Sequence, residues 1–251
     1  MRLSRSRAAE GGDAARARLQ RLIAKPFAHR GRHGGGVPEN SRAAFEAAVA
    51  AGHGVELDVQ AGADGRLCVF HDFDLDRLTD RTGPVSRLAL AELVSLRLRG
   101  SAETIPSLEE ALALVGGRVP LLIEIKTRRA AVAALCRAVA GLLAGYHGDV
   151  GVMSYHPGVS RWFRRLGGSA VPGLVMRETG PGAVRTALLR RIVLRRARPL
   201  FLAYHFLDLP SRFAAAQRAR GMPLLTWTCR SEADRAKAAR WADQIIYEEG
   251  P

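Results

Sequence analysis

Short apolar runs alternate along the chain with longer stretches in which apolar residues recur at a helical period. This alternation, with no linker or low-complexity break, is typical of one domain built on a parallel sheet. Nine runs are predicted strands: Phe27–Ala28, Val55–Val59, Leu67–Phe70, Leu121–Ile125, Val150–Met153, Val171–Met176, Leu200–Ala203, Leu224–Trp227 and Gln244–Tyr247. The intervening stretches predict helices at 13–23, 40–51, 107–115, 129–145, 157–166, 183–196, 211–220 and 231–241.

Nine strands are one more than a (β/α)₈ barrel requires. An Asp-Gly pair at 64–65, between two apolar runs, is the strongest short signal for a β-hairpin. We therefore predict that 55–61 and 66–71 run antiparallel, with Asp58 roughly opposite His71. The predicted fold is α/β, a single (β/α)₈ TIM barrel with a β-hairpin after the second strand.

The composition agrees with one folded barrel. The chain has 251 residues, of which 47% are hydrophobic and 25% charged. This composition excludes a disordered protein, and the length matches the roughly 250 residues of one barrel. We expect two parts, a basic helical extension over 1–25, packed outside or below the main body, and the barrel domain over 26–251.

The cysteines and the lengths of the apolar runs bear on location. Cys68, Cys136 and Cys229 are far apart and form no CxxC pair, which argues against a disulfide framework or a structural zinc site and favours a reducing compartment. No apolar run reaches the roughly 18 residues of a membrane span, and none of about 7–15 residues follows the basic N-terminus as in a secretory signal. We therefore expect a cytoplasmic protein.

The net charge of +14 is unevenly distributed. Residues 1–32 carry nine cations and two acids, and 177–198 carry seven and one, whereas 33–80 carry three cations and nine acids. A nucleic-acid-binding protein is expected to have one basic patch. Two basic segments beside an acidic centre instead predict an anionic substrate brought to a cation site, with no nucleic-acid partner.

The predicted helix at 183–196 has two interpretations. Helical spacing puts the aliphatic side chains on one side and the arginines on the other. The aliphatic set is Leu188, Leu189, Ile192 and Val193, and the basic set is Arg190, Arg191 and Arg195. The first interpretation is an outer barrel helix with a solvated basic face, and the second is a peripheral contact with an anionic membrane.

Four short segments put ionisable residues directly at the ends of predicted strands: His29–Arg30–Gly31, Glu56–Leu57–Asp58, His71–Asp72 and Glu124–Ile125–Lys126. The carboxyl ends of barrel strands meet at one mouth. Alternation along a strand also puts Glu56 and Asp58 on one face, and likewise Glu124 and Lys126. Carboxylates and a lysine inside apolar runs are costly unless they are paired or bind a metal.

Each segment alone has a simpler interpretation: a structural histidine, carboxylates on an exposed edge strand, or a salt bridge lining the barrel. Together they match what metal-assisted phosphodiester cleavage requires. A hard divalent cation on the carboxylate oxygens would neutralise phosphate charge. The arginine and lysine would hold phosphoryl oxygens, and the two histidines would move the protons of the attacking and leaving oxygens.

At these motifs the sequence resembles the glycerophosphodiester phosphodiesterase family, a phospholipase C-like group of TIM barrels. The matching segments are, in the family's order, HRGRHGGGVPENS (29–41), ELDVQAGADGRLCVFHDFDLDRLTDRTG (56–83), IPSLEEAL (105–112), EIK (124–126) and TWT (226–228). The resemblance assigns His29 and His71 as general acid and base. It assigns the remaining positions as metal ligands (Glu56, Asp58 and Glu124), phosphate contacts (Arg30 and Lys126) and polar residues lining the mouth (Glu39 and Asn40). Trp227 has two interpretations, a core aromatic or, by the resemblance, a substrate contact lining the mouth, and we favour the mouth.

The resemblance implies metal-dependent hydrolysis of a glycerophosphodiester to glycerol 3-phosphate and an alcohol, with Ca²⁺ or Mg²⁺ as the cation. Two alternatives stay open. One is a lysophospholipase D or phospholipase C-like activity on membrane lipids, and the other is a non-catalytic barrel that binds anionic lipid. For His156 and His205, which follow later strands, we favour structural roles.

The chain departs from the family pattern in three places. Six residues, 32–37, separate HRG from PEN, one more than is usual. Cys229–Arg230 stands where the family has Val-Asn, and Tyr247–Glu248 where it has Thr-Asp. We expect these changes to spare the metal and histidine positions and to affect the alcohol group that the enzyme accepts.

Overall fold

The computed structural model describes residues 14–127 and 132–249, and in them the strands form one closed barrel. Eight parallel strands close because β1 pairs with both β2 and β9. A ninth strand, β3, extends from β2 as an antiparallel hairpin. The strands are β1 (Phe27–Ala28), β2 (Gly54–Ala61), β3 (Leu67–Val69), β4 (Leu121–Ile125), β5 (Val150–Met153), β6 (Val171–Met176), β7 (Phe201–His205), β8 (Leu224–Cys229) and β9 (Gln244–Tyr247). The predicted TIM barrel with a hairpin after its second strand is confirmed.

Eight of the nine described helices follow the prediction, and the short helix at Leu90–Leu93 was not predicted. The nine are α1 (14–22), α2 (Arg42–Ala50), α3 (Leu90–Leu93), α4 (Leu108–Val115), α5 (Val132–Leu143), α6 (Pro157–Leu166), α7 (Ala187–Ala197), α8 (Arg212–Arg218) and α9 (Glu232–Trp241). Parts of the predicted extension over 1–25, of the predicted helix at 129–145 and of the end of the barrel domain lie outside the described residues.

The hairpin register differs from the prediction by one residue. Val59 pairs with Val69 and Ala61 with Leu67, and the amide of Phe70 donates to the carbonyl of Asp58. Phe70, and not His71, is therefore opposite Asp58. The reason is the length of the connection: the Gly62 amide bonds the Arg66 carbonyl, so the turn is longer than the two-residue Asp-Gly loop.

The segment between β3 and α4 is more ordered than the sequence pattern indicated. It contains a 3₁₀ turn at Val85–Arg87 and the short helix α3, neither of which was predicted. It also has its own buried cluster: Cys68, Phe70, Leu75, Val85, Leu90, Leu93, Leu98 and Ile105. Elements of three or four residues are too short to show a period, so the pattern misses them.

Because side chains alternate along each strand, the face of β2 that meets the helices is apolar, whereas the face inside the barrel carries charged residues. On β2, Val55, Leu57 and Val59 pack against the surrounding helices, which leaves Glu56 and Asp58 for the opposite face. At the other end of the barrel, Leu19 and Leu22 of α1 are buried in a cluster that includes strand residues such as Leu122 and Phe201. The described part of the N-terminal extension therefore packs into the core.

Helix α7 does not bury the side that its period predicts. Leu188, Leu189 and Ile192 are exposed, whereas Arg190 is buried. The Arg190 guanidinium pairs with Glu178 at 3.0 Å, donates to two backbone carbonyls and lies over an aromatic ring. These partners compensate for burying the charge, so the predicted division of α7 into an aliphatic inner and a basic outer face is wrong at Arg190 and at the three exposed aliphatic residues.

Candidate active site and metal centre

The barrel brings the predicted site residues to one end of the strands. His29 directly follows β1, Glu56 and Asp58 lie in β2, and Glu124 is the penultimate residue of β4. The parallel register pairs Asp58 with Glu124 across β2 and β4. Since alternate residues share a face, Lys126 extends from the same side as Glu124, two residues further along.

Three carboxylates form the only cluster in the described residues with a metal-binding arrangement. Glu56, Asp58 and Glu124 each offer an oxygen within 4.8 Å of the others, and all three side chains are buried. Burial, and then repulsion from Asp58 and Glu124, raises the pKa of Glu56 well above its usual range. An all-oxygen donor set of this kind fits a hard divalent cation, and such a cation would relieve the crowding of negative charge.

Two cations already hold part of this acidic cluster. The Lys126 ammonium lies 2.9 Å from Asp58 Oδ1 and 2.7 Å from Glu124 Oε1, and Arg30 Nε lies 3.2 Å from Asp58 Oδ2. Burial opposes the charge on both Asp58 and Lys126, but their ion pairs outweigh it. The pKa of Asp58 is therefore held below its usual range and the pKa of Lys126 above its own.

The backbone around Arg30 is shaped to support these contacts. Arg30 and Asn40 both have positive φ, 57° and 55°, which is uncommon for residues with a side chain and costs about 1–3 kcal/mol each. In return, the Arg30 amide donates to Glu56 at 3.0 Å, and the Asn40 amide group donates to Asp58 at 2.9 Å. Gly31 is required beside them because a Cβ there would lie 2.7 Å from Ala44.

His29 is held by a carboxylate that the sequence did not identify. Its Nδ1 lies 2.6 Å from Glu248 Oε1, and its Nε2 lies 4.0 Å from Glu56. Arg230 donates to the other oxygen of Glu248 at 2.7 Å. Burial lowers the pKa of His29, and the hydrogen bond with His29 overcomes burial to lower the pKa of Glu248 to about 2.

His71 is arranged in the same way but closer to solvent. Its Nδ1 lies 2.6 Å from Asp72 Oδ1, and its side chain is 31% exposed, against 12% for His29. Arg77 bonds both Asp72 and Glu39, and Glu39 in turn accepts from Arg30. A chain of alternating charges therefore connects His71 to the Arg30 side of the mouth.

A cleft of about 730 Å³ opens at this end of the barrel. His71, Glu124 and Lys126 line it, together with Tyr155 and Arg177, among others. It is not lined by Glu39, Asn40, Trp227, the half-buried His29 and Arg30 or the buried Glu56 and Asp58. Lys126 and Glu124 line the cleft and also lie against the buried carboxylates Asp58 and Glu56, so these two residues connect the cleft to the acidic cluster.

Trp227 is in contact with the wall of the cleft. Its ring packs edge-on against Tyr155, with 6.0 Å between centroids, and the Arg177 guanidinium lies 6.0 Å from its centroid. The indole N–H donates to the Ala203 carbonyl. Trp227 therefore supports two residues that line the cleft, and its role as a lining residue stays a prediction.

Glu248 and Arg230 are the residues that sequence reasoning missed. Both belong to the departures from the family pattern that we expected to spare the histidines, and Glu248 instead bonds His29. A signal was present, because Glu248 directly follows β9 and carboxyl ends of barrel strands carry the chemistry. A predicted barrel already puts β9 beside β1, but it does not tell which side chains at those strand ends touch, and the contact of Glu248 with His29 is visible only in the structure.

Within the described residues, no helix is both long and apolar enough to cross a membrane.

Comparison with known proteins identifies relatives of the whole barrel. Residues 29–247 match the sequence model of the glycerophosphoryl diester phosphodiesterase family. A glycerophosphodiester phosphodiesterase of Bacillus altitudinis is 43% identical over 113 residues, which are 42% of this chain and 46% of that protein. One of Caldanaerobacter subterraneus is 42% identical over 109 residues, 40% of this chain and 44% of that protein. The matches thus span less than half of the length of these relatives.

Solved structures show the same fold over most of the chain. A phosphodiesterase of Oleispira antarctica, determined in complex with the product sn-glycerol-3-phosphate, superposes with a TM-score of 0.77 at 25% identity, covering 88% of this chain and 91% of that one. A glycerophosphodiester phosphodiesterase of Thermotoga maritima superposes with a TM-score of 0.72 at 23% identity, covering 89% and 93%.

Proposed function

The chain belongs to the glycerophosphoryl diester phosphodiesterase family, and on that premise we propose that it hydrolyses glycerophosphodiesters to glycerol 3-phosphate and an alcohol. One observation carries the proposal. Two histidines, each with Nδ1 on a carboxylate, stand beside a buried cluster of three carboxylates that has the arrangement of a metal site.

The cation in the proposal is Ca²⁺ or Mg²⁺, held by Glu56, Asp58 and Glu124. When bound, it supplies charge neutralisation at the phosphate. Lys126 contacts Asp58 and Glu124, so it has two tasks: it holds the ligands in place, and it presents its remaining donor capacity to the cleft that it lines. Arg30, which contacts Asp58 and Glu56, contributes a second positive charge on the β1 side.

The histidines carry the protons. Because a carboxylate accepts from each Nδ1–H, each ring keeps Nε2 for exchange with the substrate. One Nε2 takes a proton from the attacking water, or from the neighbouring glycerol hydroxyl whose cyclic phosphate product water then opens, as that oxygen bonds to phosphorus. The other gives a proton to the alcohol oxygen as the phosphorus–oxygen bond to it breaks. Either histidine can serve as the base, and the other is then the acid.

Glu248 is a positioning residue in this mechanism. It fixes the orientation and tautomer of the His29 ring, and Arg230 fixes Glu248. Asp72 has the same relation to His71, with Arg77 in the place of Arg230. The two histidines therefore have equivalent supports.

The test is release of glycerol 3-phosphate from glycerophosphocholine and related diesters, with Ca²⁺ or Mg²⁺ and with EDTA. We expect release with metal and a fall to background with EDTA, since a bound cation is worth several kcal/mol in the transition state. A parallel assay on lysophosphatidylcholine decides whether the substrate is a lipid. Absence of release from every diester, with metal supplied, would favour the non-catalytic lipid-binding barrel.

A binding measurement separates the metal site from the chemistry. Calorimetric titration with Ca²⁺ should show tight binding to the native protein, and Glu56→Gln should weaken it. Glu46→Gln, an exposed carboxylate on α2, is the matched control and should bind as the native protein does. Equal Ca²⁺ binding by the two variants would show that Glu56 is not a metal ligand.

A further inference from the structure

Helices α6 and α7 form a surface with a strong excess of positive charge. Residues 150–207 contain ten arginines and a single acid, Glu178. That acid pairs with the buried Arg190. Among the described residues, none of the other nine arginines of this segment forms an ion pair, in contrast to the paired charges of the barrel mouth.

The same surface exposes aliphatic side chains. Leu188, Leu189 and Ile192 of α7 are 68%, 50% and 36% exposed, and Leu166 at the end of α6 is 57% exposed. Leu188 and Ile192 are four residues apart and lie on one side of the helix. Arg191 and Arg195 are exposed beside them. We call this set, the four aliphatic residues and the arginines of α6 and α7 around them, the α6–α7 face.

A groove between the two helices concentrates the arginines. Apart from Ile192, its lining is entirely basic: Arg161, Arg164 and Arg165 of α6, Arg195 and Arg196 of α7, and Arg198 just after it. Guanidinium groups recognise phosphate oxygens with paired hydrogen bonds. Six of them around one groove form an environment for anionic phosphate groups.

We propose that the α6–α7 face docks on the surface of an anionic lipid bilayer. The arginines alone would suit any polyanion, including a nucleic acid. The exposed leucines decide between them, because aliphatic side chains beside basic ones are what an interfacial helix inserts below the phosphate level. Helix α7 buries Arg190 with partners and leaves Leu188 and Leu189 exposed, and insertion into a bilayer would remove these leucines from water.

The position of the face relative to the mouth gives the docking a consequence. Arg161 and Arg196 also line a neighbouring depression that includes Tyr155, and Tyr155 lines the cleft at the mouth. Pro181 and Gly182, which precede α7, line the cleft as well. A bilayer against the α6–α7 face would therefore lie beside the entrance of the cleft. This consequence depends on the proposed function, whereas the docking itself does not.

The experiment is sedimentation of the full chain with vesicles of phosphatidylcholine alone or with about 30% phosphatidylglycerol. We expect binding to the anionic vesicles only, falling as NaCl is raised because the surface charges are screened. Leu188→Ser with Leu189→Ser and Ile192→Ser, and separately Arg191→Ser with Arg195→Ser, should each lower the partition coefficient at least tenfold. The basis is about 1 kcal/mol for each arginine near an anionic surface and the loss of the apolar insertion.

The matched control is Arg87→Ser with Arg97→Ser, which removes the same charge from exposed positions outside α6 and α7. It should bind almost as the native chain does. Equal losses in both arginine pairs would show a response to net charge alone and overturn the proposal. So would a dimer in light scattering that the leucine variant abolishes, or tight binding of RNA with no binding of vesicles. Because sedimentation needs no turnover, the result is independent of the activity assay.

Discussion

The mouth of the barrel and the α6–α7 face are both rich in charge, but they arrange it in opposite ways. In the mouth, Lys126 bridges two carboxylates and Glu39 accepts from two arginines. On the α6–α7 face, six described arginines of the two helices form no ion pair, next to exposed leucines. Whether the charged side chains of a region form ion pairs therefore indicates its function better than the sign of their charge does.

The difference has an energetic origin. Buried charges are costly unless partners compensate for lost hydration, so the mouth must be a closed network before a substrate arrives. Exposed arginines keep their hydration and need no protein partner. A network of the first kind positions groups for chemistry, and a surface of the second kind is available to an external anion.

The largest expected effect tests the chemistry of the mouth. His29→Ala and His71→Ala should each lower kcat by about 10²–10⁴-fold, because each removes one proton carrier. Neither should alter vesicle binding. His147→Ala, at an exposed position beyond α5, is the control. Near-normal turnover by the double variant at 29 and 71 would sink the mechanism.

The second-largest expected effect concerns Arg190, which is the one arginine of α7 that is buried and paired with an acid, like the charged residues of the mouth. Arg190→Ala leaves Glu178 with hydroxyl donors only, from Tyr204 and Ser211, and should lower the free energy of unfolding by about 3 kcal/mol. Arg191→Ala, on the next residue but exposed, should change it by less than about 0.5 kcal/mol. Both are measured by urea denaturation. Equal losses would erase the distinction between buried and exposed arginines on this helix.

The smallest effect tests positioning inside the mouth. Glu248→Gln weakens the acceptor that orients His29, and we expect kcat to fall about tenfold with little change in KM, as for other outer partners of catalytic groups. Glu249→Gln is the matched control, since the neighbouring carboxylate bonds Arg32 and does not touch His29. A change in KM alone would mean that Glu248 acts on substrate binding and not on the histidine.

Much of the fold could be read from the sequence because its signals are local. Apolar runs and helical periods predicted all nine strands and eight of the helices to within a few residues, and the surplus strand with its Asp-Gly pair predicted the hairpin. The hairpin register came out one residue away, because the extent of the turn depends on contacts such as that of Gly62 with Arg66. The short helix α3 carries no period and was missed.

The residues of the candidate site were likewise predicted where the signal is local and misjudged where a long-range contact decides. The motifs at the ends of β1, β2, β3 and β4 picked out the residues that the barrel brings together, since alternation and the position of strand ends are properties of the chain. Glu248 was misjudged because its neighbour, His29, is 219 residues away in sequence. The predicted barrel puts β9 beside β1, but only the assembled side chains show that Glu248 turns to the His29 ring.

Sequence alone thus determined the order of the elements, the barrel they form and the residue types at the strand ends, because short-range periodicity specifies each of these. Tertiary structure alone decided which side of α7 is buried. Periodicity ranks residues by hydrophobicity and would bury Leu188 and Leu189. The fold buries Arg190 because Glu178, two carbonyl groups and an aromatic ring meet its guanidinium there, and partners of that kind exist only once the barrel is assembled.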